Sequence, residues 1–265
     1  MASKRRELEL QRQDGDQLLF PEPIPPLQLY PGSTFEAVDA GGVPCEWLRT
    51  PGSADSPVVF LHMHGGGYYR GNTRIEAGGT SFLVGLARVR CLTVDYRCSP
   101  PTTSGYRTAA FPGAVDDCLA AYRWLIDPNG GGVDPGRVVV GGCSAGGGLA
   151  VALLLAARDA GLSLPAAALP LSPWVDLTQS GSTYHSNHGK CFITKGYLEW
   201  AAKQYLQGAD PRSPLASPLF ADLAGLAATQ AIPPQLDFRG VSAERFHVTA
   251  VPDADSGRRQ RDTLG

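Results

Sequence analysis

The composition of this 265-residue chain excludes several classes of partner before any motif is considered. It carries 23 basic and 25 acidic side chains, a formal net charge of −2, so no strong electrostatic field favours nucleic acid or an anionic membrane. The length suits a single α/β domain with a sizeable core. A small, neutral molecule is the partner that this charge balance favours.

The first residues and the cysteines are typical of a protein of the cytoplasm. Residues 1–13 are charged and lack the apolar stretch of an ordinary secretory signal, and no apolar run is long enough to span a bilayer. Six cysteines are scattered without the spacing of a metal site or a short disulfide loop, namely Cys45, Cys91, Cys98, Cys118, Cys143 and Cys191. We expect reduced thiols, no metal, no cofactor and no stable membrane association.

The first elements along the chain are predicted to be peripheral. A segment of helical composition is followed by a proline cluster at 21–26, which forces an extended connection. We therefore predict an N-terminal cap or arm over residues 1–30. Two short strands at 34–38 and 44–48 then have the pattern of a hairpin.

A glycine run follows the first strand of the predicted core. Residues 56–63 form an apolar segment, and His64-Gly65-Gly66-Gly67 comes directly after it. Glycines at the carboxyl end of a strand can bring bare backbone N–H groups against an oxygen, which is what a tetrahedral oxyanion requires. The alternative interpretation is a flexible turn, and the run alone does not decide between the two.

Helical and strand patterns alternate beyond the glycine run. A helix-like stretch at 81–89 precedes a strand at 89–96, and a second helical stripe covers 112–126. This βαβα order predicts a mostly parallel sheet with helices on both faces.

The sequence Gly142-Cys143-Ser144-Ala145-Gly146 fits the G-x-S-x-G pattern of a nucleophile elbow. Residues 138–140 supply the apolar strand before it and residues 149–157 the helix after it, which is the context that the motif requires. A serine among glycines is often only a turn. The strand and helix on either side favour the elbow, so Ser144 is the predicted nucleophile.

A region of different character follows the elbow helix. Residues 166–175 have the pattern of a further strand. Residues 177–212 then mix polar side chains, two histidines and one helix at about 196–206, and we predict that they form a small helical cap. The core would run from 31 to 226 with this cap as an insertion.

Six short motifs resemble the hormone-sensitive-lipase-like family of α/β-hydrolases, the bacterial-type esterases and lipases that carry HGGG and GxSAG motifs. They stand in the family's order: HGGG at 64–67, DYR at 95–97, FPGAVDD at 111–117, GCSAGG at 142–147, LSPWVDL at 171–177 and DPRSPLASP at 210–218. The resemblance covers about residues 20–225. It implies the α/β-hydrolase fold, with a small helical cap, and hydrolysis of carboxylic esters.

Roles for individual residues follow from this resemblance. Ser144 would attack the ester carbonyl, and the N–H groups of Gly65–Gly67 and Ala145 would hold the oxyanion. His64 would organise the oxyanion loop rather than act as a base. The family usually has Asp where this chain has Cys143, and we expect that thiol to be a small buried filler.

The acid and the base of a serine triad are not identifiable. In this fold the serine is followed by the acid and then by the histidine. His185 and His188 fall in the predicted cap, where a solvated polar role fits better. His247 lies in a strand-like run without a strong acid at the family's spacing, so it is only a poorly supported candidate base, and the catalytic acid is unknown.

The tail at 227–265 departs from the family's pattern. Residues 235–239 are too polar for a central strand, and residues 258–262 do not form a buried strand either. Residues 256–265 can be back-translated into a nucleotide sequence that, read one base out of frame, encodes a segment resembling the family's missing strand and acid loop. We therefore hypothesise an out-of-frame or unspliced tail, with the last core strand or strands and helix missing or aberrant. A genuine but divergent terminus is the alternative.

Two functions fit these observations. The first is a serine carboxylesterase that acts on small acyl esters through an acyl-enzyme on Ser144, impaired in this chain by the missing acid and base. The second is a non-catalytic protein of the same fold, either a truncated product or a small-ligand binder like the plant gibberellin receptors. The expected partner is a small ester molecule, and assembly into a homodimer is left open.

Overall fold

The structure is a computed structural model that describes residues 28–99, 107–182, 184, 193–226 and 228–229. Several predicted features lie outside these residues and stay predictions: the N-terminal arm before residue 28, His185, His188, His247 and the tail beyond residue 229.

The described residues contain seven strands and four α-helices. The strands are β1 (Thr34–Asp39), β2 (Pro44–Arg49), β3 (Val59–Met63), β4 (Arg90–Val94), β5 (Val138–Cys143), β6 (Ala167–Leu171) and β7 (Ala228–Thr229). The helices are α1 (Ala77–Ala87), α2 (Gly113–Ile126), α3 (Ala145–Asp159) and α4 (Lys195–Leu206).

The start of helix α1 and the end of strand β6 each differ from the sequence-based expectation by four residues. Helix α1 begins at Ala77 rather than at 81, because the poor helix formers Gly78 and Gly79 are carried into the helix by its packing against the sheet. Strand β6 ends at Leu171 rather than at 175, because Ser172 adopts a left-handed φ of 44° and the proline that follows it has no N–H for the ladder.

The strands form one mixed sheet in the order β1-β2-β4-β3-β5-β6-β7. Strands β1 and β2 are antiparallel, and all pairings from β4 to β7 are parallel. The prediction of a peripheral hairpin on a mostly parallel sheet is therefore confirmed. Met63, the last residue of β3, pairs with Gly142 near the end of β5, so the loops after these strands leave the sheet side by side.

Helices cover both faces of the sheet, as predicted. Phe60 of β3 and Cys91 of β4 pack with Val84 of α1 on one face. Leu61 of β3 and Val140 of β5 lie in the main core on the other face, where α2 and α3 pack. Alternate residues of a strand point to opposite faces, which explains how one buried strand serves two helical layers.

The described residues cover the two faces of β5 and β6 unequally. On the face of α2 and α3, Val140 and Ala168 are fully buried. On the face of α1, Val139, Leu169 and Leu171 are only half-buried. This half-covered apolar strip lies beside α1, whose own Phe82, Leu83 and Leu86 are exposed.

The Asp117 carboxylate ties α2 to the segment after β4. It accepts hydrogen bonds from Arg97 N at 2.8 Å, from Arg97 Nε at 2.9 Å and from Arg97 Nη2 at 2.8 Å. The carboxylate side chain is 6% exposed. We expect Asp117→Ala to lower the free energy of unfolding by about 2 kcal/mol, because Arg97 N and the half-buried Arg97 guanidinium lose a charged acceptor.

Urea denaturation checks this prediction. The matched control is Asp116→Ala, which removes an exposed carboxylate from the same turn of α2 and should cost about 0.5 kcal/mol through the helix dipole. Equal losses in the two variants would show that the Arg97 pairing does not carry the effect.

Candidate active site

Ser144 lies on the sharp turn between β5 and α3, as the sequence predicts. Its backbone has φ 58° and ψ −116°, a strained conformation for a residue with a side chain. The strain is held by hydrogen bonds on both sides: Ser144 N donates to Leu171 O at 3.0 Å, and Trp174 N donates to Ser144 O at 2.8 Å. The serine is half-buried and lies at the carboxyl edge of the sheet.

The two motif glycines are required by the carbonyl group of Met63. A Cβ atom on Gly142 or on Gly146 would overlap the Met63 carbonyl oxygen at the end of β3. The strand carrying the serine and the helix after it therefore approach the neighbouring strand more closely than any side chain allows. This contact positions the elbow against the start of the HGGG loop.

The HGGG loop has three consecutive residues with left-handed backbone. Gly66, Gly67 and Tyr68 have φ values of 119°, 63° and 66°. The loop is closed by hydrogen bonds from Tyr69 N and Arg70 N to Gly66 O, both of 3.3 Å. Only glycine adopts such angles without strain, which explains two of the three glycines in the motif.

The HGGG loop and the elbow converge, as predicted. A Cβ atom on Gly65 would lie 3.5 Å from Ser144 Cβ, so ordinary bond lengths place Gly65 N and Ser144 Oγ within about 7.5 Å of each other. None of the amide N–H groups of Gly65–Gly67 and Ala145 donates a hydrogen bond to a described residue. Ala145 also begins a 15-residue helix, whose N-terminus favours negative charge.

His64 is a buried part of the loop. Its ring stacks on Tyr96 with centroids 4.1 Å apart, and its Nδ1–H donates to Gly65 O at 2.7 Å. Tyr96 Oη donates to His64 O at 2.7 Å. Burial lowers the pKa of His64 to about 4, so the ring is neutral near pH 7. These contacts agree with the expected role of a loop organiser.

Sequence reasoning missed a second polar pair beside the elbow. His62 Nε2 lies 3.2 Å from Glu76 Oε2 and 3.4 Å from Thr80 Oγ1. A Cβ atom on Gly65 would be 2.6 Å from Glu76 Oε1, so this carboxylate reaches the back of the HGGG loop. No local sequence motif predicts this pair, because His62 and Glu76 are 14 residues apart in the sequence.

A cavity of about 380 Å³ adjoins this pair, between α1 and the ends of β5 and β6. Its lining includes His62, Glu76 and Cys143. Cys143 was expected to be a buried filler but is half-buried, because the described residues only partly cover the face of β5 on which it lies.

The cap helix α4 packs directly on the HGGG loop. The rings of Tyr68 and Tyr205 stack with centroids 4.0 Å apart. Tyr69 Oη and Tyr197 Oη share a hydrogen bond of 2.9 Å, and Tyr69 meets Trp200 edge to face at 4.9 Å. The described part of the predicted cap thus contacts the loop that carries the predicted oxyanion donors.

No base is in place for Ser144 within the described part of the chain. Ser144 Oγ makes no hydrogen bond to a described residue, and both described histidines have other contacts. Asp176 is 1% exposed, and its oxygens accept from Thr178 and Ser180; these hydrogen bonds lower the pKa of Asp176 against the effect of its burial. The acid and base thus stay unassigned.

The described ranges contain neither a metal-binding cluster nor a membrane-spanning helix. These ranges contain no group of three or more His, Cys, Asp or Glu side chains that could hold a metal ion. None of the helices in them is both long enough and apolar enough to cross a membrane.

The family model for the alpha/beta hydrolase fold matches residues 60–238 of the chain. The chain belongs to the α/β-hydrolase fold family. This α/β-hydrolase resembles a crystal structure of an esterase from the bacterial hormone-sensitive lipase family, with 39% identity, a TM-score of 0.72, and coverage of 83% of this chain and 69% of that one. The predicted membership of the hormone-sensitive-lipase-like branch is confirmed.

Two curated relatives carry hydrolase names. An acetyl-hydrolase of Streptomyces hygroscopicus is 41% identical over 192 residues, which are 72% of this α/β-hydrolase and 60% of the relative. The carboxylic ester hydrolase LipN of Mycobacterium tuberculosis is 32% identical over 197 residues, 71% of this chain and 50% of LipN. The chain therefore spans half to three fifths of the length of these two relatives.

Gly146 is the position where a small substitution should have a large effect. Because a Cβ atom there overlaps the Met63 and His64 carbonyl groups, we expect Gly146→Ala to destabilise the α/β-hydrolase by about 3 kcal/mol. The matched control is Gly196→Ala in α4, where a Cβ atom would meet nothing within 4 Å. This substitution should stabilise the protein by up to about 1 kcal/mol, because alanine has a higher helix propensity than glycine. Chemical denaturation of both variants measures the contrast, and similar stabilities would contradict the close approach of β3 to the elbow.

The buried neutral His64 should make stability depend on pH. Its pKa is about 4 when folded against an ordinary value of 6.5, so the unfolded chain binds the proton first as the pH falls. The neutral His64 ring therefore contributes fully to the free energy of unfolding above about pH 6.5. This contribution is lost as the pH falls from about 6.5 to about 4, at about 1.4 kcal/mol per pH unit. Urea titrations should show a smaller slope in that window for His64→Asn; the same slope would mean that His64 is not buried as a neutral ring.

Proposed function

We propose that this α/β-hydrolase is a serine carboxylic-ester hydrolase that acts on small acyl esters through an acyl-enzyme on Ser144. One observation carries the proposal. Ser144 is held on a strained turn beside the amide groups of Gly65–Gly67 and Ala145, none of which donates to a described residue. The relatives named acetyl-hydrolase and carboxylic ester hydrolase support the same class of reaction.

The proposed reaction follows from this placement. Ser144 Oγ attacks the ester carbonyl carbon, and the charge that develops on the carbonyl oxygen is held by backbone N–H groups of the HGGG loop and of Ala145. The alcohol leaves and an acyl-enzyme remains. A water molecule then attacks the acyl group and restores the serine. The N-terminus of α3 adds a favourable dipole at the oxygen.

The aromatic contacts of α4 support small acyl groups. A Cβ atom on Gly67 would lie 3.1 Å from Tyr69 Cε1 and 3.6 Å from Tyr197 Oη. Bulky rings therefore stand directly against the predicted oxyanion loop and limit the space beside it. A short acyl chain such as acetyl or butyryl fits such a restricted site better than a long one.

We further propose that turnover is slow. A serine hydroxyl is a weak nucleophile until a base removes its proton, and Ser144 Oγ has no such partner among the described residues. In a well-studied triad, loss of the base lowers the turnover rate by a factor of about 10⁶. The remaining enzyme is still about 10³–10⁴ times faster than the reaction in water, because the oxyanion hole and substrate binding are retained.

Hydrolysis of p-nitrophenyl butyrate tests the proposal. We expect slow turnover that Ser144→Ala abolishes and that Ser163→Ala, which changes an exposed serine, leaves intact. Turnover that is equal in the parent and Ser144→Ala would contradict a nucleophilic role for Ser144. Ester binding without any turnover that depends on Ser144 would favour the second function, a non-catalytic ligand binder of the same fold.

A further inference from the structure

We infer that the segment Ile24-Pro25-Pro26-Leu27 of this chain docks along helix α1 and closes the cavity between α1 and the ends of β5 and β6. Its two apolar side chains outside the prolines, Ile24 and Leu27, are the ones that enter the mouth of this cavity. The inference goes beyond the proposed function, because such docking does not depend on the chemistry of Ser144. The segment directly precedes Gln28, the first residue that the structure describes.

The mouth of the cavity is an open apolar surface. Leu83 of α1 is 39% exposed, and Leu171 at the end of β6 is half-buried. Both line the cavity, whose volume is about 380 Å³. Val139 and Leu169 extend this surface along β5 and β6 and are half-buried as well. Apolar side chains gathered in one open patch are typical of a surface that another segment covers.

Tyr30, the third residue after Leu27, already holds the chain against α1. Its backbone N–H donates to Ser81 Oγ at 2.9 Å, and its ring meets the ring of Phe82 edge to face, with centroids 5.6 Å apart. The ring also fills the space over Gly85, where a Cβ atom would lie 2.6 Å from Tyr30 Cγ. The absence of a side chain at Gly85 therefore makes room for the residue that anchors the segment.

The described residues also indicate the direction from which the segment reaches Tyr30. After Tyr30 the chain runs toward the C-terminal end of α1: a Cβ atom on Gly32 would lie 2.8 Å from Pro51 Cγ, and one on Gly52 would lie 4.0 Å from Cδ of Arg88, which caps that helix end. Residues 28–30 are neither helix nor turn, so the chain does not reverse there. The residues before them therefore come from the first turn of α1, which lines the cavity.

The proline cluster gives the segment a periodicity that matches this contact. Proline fixes its own φ near the polyproline II value, and the residue before a proline is driven to the same region. Residues 21–26 are therefore predicted to form a polyproline II helix, which has three residues per turn. Ile24, Leu27 and Tyr30 recur at this spacing and share one face of the helix. Since Tyr30 faces α1, Ile24 and Leu27 face it too.

The lengths of the two helices agree with this placement. Helix α1 rises about 1.5 Å per residue, so its first residue lies about 6 Å from Ser81 along the axis. A polyproline II helix rises about 3.1 Å per residue, which places Leu27 about 9 Å and Ile24 about 19 Å from Tyr30. Leu27 thus reaches the first turn of α1, and Ile24 reaches the cavity mouth beyond it. Because Tyr30 tethers the segment, its effective concentration at the mouth exceeds that of a second copy of the chain.

Alkylation of Cys143 by iodoacetamide tests the inference in the full chain. Cys143 lines the cavity, whereas the other four described cysteines are buried, and burial raises the pKa of each of their thiols. Peptide mapping measures the rate at Cys143 separately from the other thiols. We expect Leu27→Asp and Ile24→Asp to raise this rate about tenfold, because a charged side chain forfeits the burial that holds the segment in place.

Two controls separate docking from general effects of substitution. Leu27→Met keeps an apolar side chain of similar volume and should leave the rate within about twofold of the parent. Gln28→Asp introduces the same charge at an exposed position on a different face of the predicted polyproline II helix, and it should also behave like the parent. Thermal unfolding of each variant shows that it is folded.

A photo-crosslinker identifies what occupies the cavity mouth. The full chain carries p-benzoylphenylalanine in place of Leu27 or, in a second sample, in place of Phe238 in the tail. Each sample is mixed with its ¹⁵N-labelled form, so that cross-links within one chain differ in mass from cross-links between chains. We expect position 27 to cross-link to residues 76–83 of the same chain.

Each contrary outcome has a definite meaning. Equal alkylation rates in the parent, Leu27→Asp and Ile24→Asp overturn the closure of the cavity. A rise in Gln28→Asp as large as in Leu27→Asp overturns the shared face of Ile24, Leu27 and Tyr30. Cross-links from position 27 that form only between chains assign the surface to a second copy. Cross-links to residues 76–83 from position 238 and not from position 27 assign it to the tail, and either result overturns the inference.

Discussion

The close approach of the Met63 carbonyl group to Gly142 and Gly146 is the contact on which the site depends. It brings the end of β3 against the turn after β5 without a side chain between them, and the parallel pairing of the two strands fixes its register. The elbow and the HGGG loop are therefore built on one backbone-to-backbone contact. A displacement of either strand would change both the serine and the amide groups that face it.

Much of the fold could be predicted because its signals are local. Apolar runs, glycine-rich turns and alternating helical stripes indicated the parallel sheet and the position of Ser144, and the structure has both. The predicted boundaries of helix α1 and strand β6 were wrong, because tertiary packing determines where these two elements begin or end. Helix α1 keeps Gly78 and Gly79 in its first turn against their propensity, and β6 ends early at the left-handed Ser172.

Less of the candidate site could be predicted, since its remaining parts come from distant positions. The His64 contacts follow from a motif, but the pairing of His62 with Glu76 joins strand β3 to the residue that precedes helix α1, and Tyr69 meets Tyr197 across 128 positions in the sequence. Such contacts carry no spacing that a single sequence displays. The alternation of faces along β3 could have placed His62 toward α1, yet it could not have identified Glu76 as its partner.

The stacking of Tyr68 on Tyr205 has a mechanical consequence. Tyr68 is itself one of the left-handed residues of the HGGG loop, and it is clamped between the cap helix and the hydrogen bond from Ser99 N to Tyr68 O. Helix α4 and the HGGG loop are therefore mechanically coupled. A tilt of α4 would displace Tyr68 and with it the adjacent amides of Gly66 and Gly67, so the orientation of these backbone groups depends on the position of a helix that is 128 or more residues away in the sequence.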